Sequence, residues 1–425
     1  MPFQRVLLEM AIEGVQIDTE LLKKQQVLLQ DEILNLTKDL YDTLGSKYTM
    51  QISLDPKVKP LLIGNINFNS SKQLIEIFNN YGLEITELTP SGNPSVGKAT
   101  MNKHKKHPFV KQLQKYKDYN KLYNGFISDE GQININLQSD GKVRPNFMDI
   151  GTKTGRMSCS SPNLQQLPNN REGFIVKPRE LFTAPKGYKM FSCDYSGQEI
   201  YSMAHISKDP DLIKMLNMGQ DQHMVNANAV FKLGLSDEQL IKGTKEYKEI
   251  EDKYHDYRKK GKIFSFGVPY GMGAHKFSND FQVSEEEAEG MIKNLSEKFP
   301  VLFQVIEDTH KLCDEKFEVR TLAGRIRHFG DNYSDVKLKN KNIDSYKPEI
   351  VKLMRQGAAH RQSFNFLIQG LCADMIRSAM VNVWARKHQH PEWGLKTIMQ
   401  VHDEANYIVK EEYINEATEN GKRSF

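Results

Sequence analysis

Residues 258–271 read RKKGKIFSFGVPYG, and within this stretch Arg258, Lys262, Phe266 and Tyr270 stand four apart. On an α-helix that interval stacks side chains along one face, so two cations are followed by two flat rings. Such a face suits a nucleoside triphosphate. Cations neutralise its phosphates, arginine offers the fork that phosphate oxygens prefer, and a ring lies against base or sugar. Arg and Lys four apart also make an ordinary solvated helix face, so the flanking sequence has to choose between the readings. Pro269 removes a backbone donor and clashes one turn back, at about 3 kcal/mol in a helix interior, so the helix is expected to bend or loosen near Ser265.

Downstream, KTIMQVHDEANYIVK (396–410) shows two β-prone runs, Thr397 to Val401 and Ala405 to Val409, around HDE. The pattern predicts a tight hairpin with Asp403 and Glu404 at or near its tip. Before it, a helix is expected from about Ile350 to Arg386, carrying Arg361, Asn365 and Gln369 four apart among apolar neighbours. Such a polar stripe needs partners, which a groove holding a polar ligand would supply. Upstream, Tyr188 to Cys193 reads as a buried strand with Asp194 at its end, and Glu199 to Ile206 begins an apolar helix. A carboxylate at a strand end is a common metal position and also a common helix cap. Helices are also expected over Gln222 to Phe231, Glu246 to Gly273, and from KFPVLF to about Phe317.

The chain has 425 residues, 39% apolar and 26% charged, with a net charge of +4. That length allows two or three domains, and the net charge is too small to argue nucleic-acid binding by itself. Local charge says more, because seven lysines between Lys103 and Lys121 face a single acid, Asp118, with Phe109, Tyr116 and Tyr119 among them. This is either a soluble helix surface or a stripe along a phosphate backbone. Four scattered cysteines without a C-x-x-C pair predict free thiols in a reducing compartment and no zinc. No signal peptide or membrane-length run is seen, which predicts a cytoplasmic protein that does not engage a membrane.

From Phe3 to Gly45 apolar residues recur at helical spacing, broken by a turn at Gly14, and NFNSSKQL (67–74) places Ser70 or Ser71 as a cap with Lys72 in the first turn. GNPSVGKAT (92–100) nearly matches a phosphate-binding loop. It has Ala99 where a magnesium-holding hydroxyl is needed, so it is read as a plain loop. Alternation from Ile133 to Phe147 suggests a hairpin. The polar stretch GTKTGRMSCSSPNLQQLP (151–168) offers Arg156, Asn163 and Gln165 to a polar ligand.

Together these motifs resemble family A DNA polymerases, the group of bacterial DNA polymerase I and its phage relatives. Residues 258–271 fit the family's R-x-x-x-K-x-x-x-[FY]-x-x-x-Y-G helix. Asp194-Tyr195-Ser196 with Glu199 resembles the first palm motif, and Val401-His402-Asp403-Glu404 the last. TGRMS, PNLQ, Asp221-Gln222-His223, TLAGR (321–325), the Arg361/Asn365/Gln369 stripe and the thumb-like NFNSSKQL follow in unbroken order from about Phe3 to Val409. The resemblance implies an α+β right hand: a helical thumb (1–150), an antiparallel palm (151–215 and 346–425) and helical fingers (216–345). It implies template-directed addition of deoxynucleotides to a primer 3′ end with two Mg2+ ions on Asp194 and Asp403, with Glu404 nearby. Lys262, Arg258 and His223 would contact the nucleotide's phosphates, Phe266 and Tyr270 its base and sugar, and Glu199 would crowd the 2′ position. Arg156, Asn163, Gln165, Arg361, Asn365, Gln369, His402 and Lys72 would face primer-template DNA.

Tyr201 and Ile326 stand where the family usually has Arg, and Gln166 where it often has Asn. The residues before the first helix leave no room for a proofreading exonuclease, so the chain is expected to polymerise without editing unless a separate protein edits for it. The tail EEYINEATENGKRSF (411–425) allows a short helix over Glu411 to Asn420 but no closing strand. This suggests either a palm completed by a C-terminal fragment or a naturally short one. Two alternatives stand beside DNA synthesis. A weak or split polymerase would mainly bind primer-template, and a single-subunit RNA polymerase would share both aspartates, although Glu199 argues against ribonucleotides.

Overall fold

The computed structural model describes residues 2–45, 50–52, 62–64, 66–89, 92–170, 173–281, 283–338, 343 and 346–424. It divides into two compact units, one of residues 1–149, 157–194 and 377–425, the other of residues 150–156 and 195–376.

In the first unit, helix Pro2–Glu13 ends at Gly14, whose φ of +64° makes the expected turn, and a short strand Val15–Ile17 follows. Asp18 then caps the long helix Thr19–Leu44 by accepting from the Leu21 N–H at 2.9 Å. Helix Pro108–Leu122 packs on it over a core that includes Tyr41, Phe68, Phe78, Phe109 and Leu113. Ser70 is the N-cap residue of helix Ser71–Asn80, though its side chain makes no cap bond. A helix does open at Lys98–Lys103 in the near-match loop. The Glu87 carboxylate accepts from the Ala99 and Thr100 N–H groups at 3.0 and 3.2 Å, so this N-terminus already holds an anion. The expected hairpin strand at Ile133 is instead the helix Gln132–Asn136. Asn134 donates to the carbonyls of Ile127 and Ser128, and these local bonds override the alternation.

A three-stranded sheet in this unit is antiparallel, in the order Tyr188–Asp194, Glu404–Lys410, Lys396–Val401. Tyr188–Asp194 is an edge strand in which only Cys193 is buried, which corrects the buried strand expected from its apolar letters. Phe191 stacks on Tyr407 of the central strand at 5.3 Å. Helix Ile414–Ser424 packs beside them so closely that a Cβ at Gly421 would lie 2.9 Å from Cys193 Sγ. The four cysteines are buried and none is in a disulfide, and burial pushes the Cys193 thiol up to about 11.

The second unit is mostly helical. Helices Gln198–Ser207, Gln222–Phe231, His255–Gly267, Glu285–Lys298 and Pro300–Lys316 contribute to a core with Met224, Phe264, Phe277 and Leu302. The single helix expected over Glu246 to Gly273 is two, Lys245–Lys253 and His255–Gly267. The second ends two residues before Pro269, where the ring can no longer break the ladder, and Tyr270 falls in the following turn. Residues 348–376 of the 40-residue helix Pro348–Lys387 also belong to this unit. Among the described residues no helix is long and apolar enough to cross a membrane.

Candidate active site

In the first unit the carboxylates are brought together by strand register. Asp194 lies directly opposite Glu404 in the antiparallel pair, and Glu404 is also paired with Val401 across a two-residue turn of His402 and Asp403. Directly opposed residues share a sheet face with Cβ atoms about 5 Å apart. Asp194 and Glu404 are therefore neighbours, with Asp403 one residue away at the turn. His402 takes a left-handed backbone, φ +58°, which costs an L-residue roughly 1–2 kcal/mol and holds the turn tight. The Gln400 side chain braces the turn by donating to the His402 carbonyl, and Gln165 donates to Gln400 Oε1 at 2.8 Å.

Arg179, which sequence reading passed over, places its guanidinium 3.5 Å from Glu404. A pocket of about 250 Å³ opens beside this pair, lined by Leu164, Phe182, Met190, Met399 and Asn406. The Asn406 amide nitrogen is buried there without a hydrogen-bond partner among the described residues. No three His, Cys, Asp or Glu side chains among the described residues form a metal-ligand group. The donor set fits magnesium nonetheless, because that ion keeps several waters and takes one or two protein carboxylates plus substrate phosphates.

In the second unit, Arg258, Lys262 and Phe266 rise along the predicted face of helix His255–Gly267. Gly261 allows this helix to approach Gln222–Phe231, since a Cβ there would lie 2.0 Å from the His223 carbonyl oxygen. Lys262 is exposed and makes no ion pair among the described residues. Arg258 donates to the Asp221 carboxylate at 2.8 Å and to the Tyr247 hydroxyl at 3.3 Å. Asp221 is fully buried, caps Gln222–Phe231 through the Met224 N–H, and also meets Lys242 at 3.2 Å. Burial pushes its carboxyl up, but Arg258, the Met224 N–H and Lys242 outweigh burial and hold it below the ordinary range. His223 contacts the Ser265 hydroxyl at 2.9 Å and lies edge-on to the Phe266 ring at 6.2 Å.

Glu199 uses both carboxylate oxygens within this unit. The Tyr270 hydroxyl donates to one at 2.7 Å and Arg156 to the other at 2.6 Å. Burial, reinforced by the Glu199 charge, raises the Tyr270 phenol far above its ordinary value, so it remains a donor. Arg156, expected at DNA, is thus engaged with Glu199. Gly271, at φ +79°, lies so close to Arg361 that a Cβ would meet its Cγ at 2.3 Å.

The remaining groove candidates are distributed. Asn163, Gln165 and His402 belong to the first unit, while Arg361, Asn365 and Gln369 belong to the second. Asn163 and Asn365 each bury a side-chain oxygen without a partner among the described residues. Lys72 is exposed on the first turn of Ser71–Asn80.

The family model for DNA polymerase family A matches residues 20–425. DNA polymerase I of Caldicellulosiruptor bescii is 28% identical over 405 residues, covering 95% of this chain and 41% of that protein. The thermostable DNA polymerase I of Thermus aquaticus is 29% identical over 406 residues, covering 95% and 42%. The chain therefore spans about two-fifths of the length of these relatives. Among solved structures, the POL domain of Pol1 from M. smegmatis in complex with DNA primer-template and dNTP superposes with a TM-score of 0.79 at 25% identity. That match covers all of this chain and 66% of the other. With the motif residues standing in these positions and the match reaching from residue 20 to residue 425, the chain belongs to DNA polymerase family A.

Proposed function

We propose that the chain is a DNA-directed DNA polymerase that adds deoxynucleotides to the 3′ end of a primer on a DNA template, in the cytoplasm. The observation that carries the reading is the register that sets Asp194 opposite Glu404 beside the Asp403 turn. Family A enzymes work with divalent metal ions, and here Asp194 and Asp403 would hold two Mg2+. When bound, the ions activate the primer hydroxyl and stabilise the leaving phosphate.

The other roles follow from the chain's own side chains. Lys262, exposed and unpaired among the described residues, neutralises the triphosphate, and Arg258 adds a guanidinium already oriented by Asp221. Glu199, fixed by Arg156 and Tyr270, cannot swing away from the sugar, so it excludes a 2′-hydroxyl. Phe266 supplies a flat face to the sugar and base. The orphaned oxygens of Asn163 and Asn365 suit donors on base edges in the primer-template minor groove. In this reading residues 1–150 act as thumb, 151–215 and 346–425 as palm, and 216–345 as fingers.

Primer extension with Asp194→Asn and Asp403→Asn tests the assignment. Each substitution should abolish extension while DNA affinity stays within a few-fold of wild type. Extension by either variant at the wild-type rate would overturn it.

A further inference from the structure

The helices Gln222–Phe231 and His255–Gly267 enclose one hydroxyl that nucleotide addition leaves without a role. Ser265 is 3% exposed. Its Oγ lies 3.0 Å from the Gly261 carbonyl oxygen, 2.9 Å from Asn226 Nδ2 and 2.9 Å from His223 Nδ1. A hydroxyl has one proton and two lone pairs. A carbonyl oxygen only accepts and an amide nitrogen only donates, so the proton goes to Gly261 and Asn226 occupies one lone pair. The lone pair that remains serves His223 only if Nδ1 carries a proton. The alternative, with Ser265 donating to a bare Nδ1, abandons the bond to Gly261. All three contacts are hydrogen bonds at once in the first arrangement alone.

We infer that Ser265 and Asn226 hold His223 in its Nδ1–H tautomer, so that Nε2 is bare in the neutral ring and donates to a phosphate only after taking up a proton. Ser265 is thereby a positioning residue, and nucleotide binding is coupled to proton uptake. The identity of the anion rests on the polymerase reading, whereas the tautomer does not.

The charges around the ring agree with this. Arg258 and Lys262 face it from helix His255–Gly267, Lys242 from the loop before helix Lys245–Lys253, and Asp221 from the head of its own helix. Burial, together with the three cations, outweighs Asp221 and takes the imidazole down to about 4. The ring is therefore neutral at pH 7 in the free protein. A triphosphate brings the opposite charge and raises that value. A group with a higher pKa in the complex than in the free protein gains protons on binding, so affinity falls as pH rises through the value in the complex. The proton comes from solvent onto Nε2 and returns to solvent when the anion leaves.

Nitrogen-15 spectra of the full chain with labelled histidine, assigned with His223→Gln, test the tautomer directly. At pH 7 without nucleotide, the expected His223 signals are a protonated Nδ1 and a bare Nε2. Ser265→Ala should shift them toward a mixture of tautomers. Calorimetric titration of dATP in buffers of different ionisation heat then reads the coupling. Wild type should take up more protons than His223→Gln, and Ser265→Ala should fall between them. A protonated Nε2 in the free wild-type protein, or equal uptake by wild type and His223→Gln, would overturn the inference. Should Ser265→Ala fail to fold, the wild-type spectrum still decides. An absence of dATP binding by wild type would instead count against the polymerase reading, and it leaves the tautomer measurement standing.

Discussion

Substitution of Asp221 separates a helix cap from a buried charge, and the structure sets the size of each effect. The carboxylate is fully buried, accepts from the Met224 N–H at 2.8 Å, and pairs with Arg258 at 2.8 Å and Lys242 at 3.2 Å. Removing one side of a buried ion pair costs about 3–5 kcal/mol, because the partner is left uncompensated. Arg258 and Lys242 keep 27% and 57% of their side chains exposed and Arg258 retains Glu251 at 3.4 Å, so water and that second carboxylate recover part of it, and the charge effect should lie near the low end, about 3 kcal/mol. Loss of the cap adds about 1 kcal/mol. Asp221→Asn keeps an oxygen for the cap and loses only the charge, whereas Asp221→Ala loses both. Urea unfolding followed by far-ultraviolet circular dichroism should therefore show losses of about 3 and about 4 kcal/mol. The native carboxyl is held below its ordinary value, so its contribution is present above the unfolded pKa near 4 and lost as pH falls through the lower folded value. The gap between wild type and Asp221→Asn should accordingly close on acidification. An Asp221→Asn protein within about 1 kcal/mol of wild type at pH 7 would refute the view that this carboxylate anchors Arg258.

Three further outcomes are expected. Glu199→Ala should admit ribonucleotides in primer extension, and unchanged discrimination would remove Glu199 from the sugar site. Lys103 and Lys115 are paired with Glu84 and Glu32, so the triple change Lys105→Ala, Lys106→Ala and Lys111→Ala should lower the slope of log affinity for duplex DNA against log salt by roughly 2 to 3. An unchanged slope returns these lysines to a solvated surface. Gly261→Ala forces a Cβ to within 2.0 Å of the His223 carbonyl oxygen, so thermal unfolding should report a loss of about 1–3 kcal/mol and nucleotide affinity should fall with it. A fully stable variant would show that the two helices are not in close contact.

Local pattern made several elements legible from the letters alone. Helix Gln222–Phe231 was expected at its observed bounds, Pro348–Lys387 within two residues, and the hairpin with its Asp403 turn in place. Periodicity, a cap and a turn depend only on residues a few positions apart, so sequence contains them. The same is true of the two cations and Phe266 on one helical face. Alternation misled at Ile133, where Asn134 satisfies two nearby carbonyls and draws the chain into a helix. The partners of the functional side chains were decided by tertiary structure. Arg258 is bonded to a carboxylate 37 residues away, Glu199 to Arg156 and Tyr270 at separations of 43 and 71, and Arg179, in the short 3-10 helix Pro178–Leu181, is paired with the distant Glu404. No spacing rule reaches across such intervals, because the energy that selects these pairs arises only when packing removes water from both members. The sequence by itself therefore determined the family, most of the long helices and the strand-end acids, but not the break between Lys245–Lys253 and His255–Gly267 or the helix Gln132–Asn136. Folding decided which charges are already matched and which, like Lys262, are exposed with no ion-pair partner among the described residues.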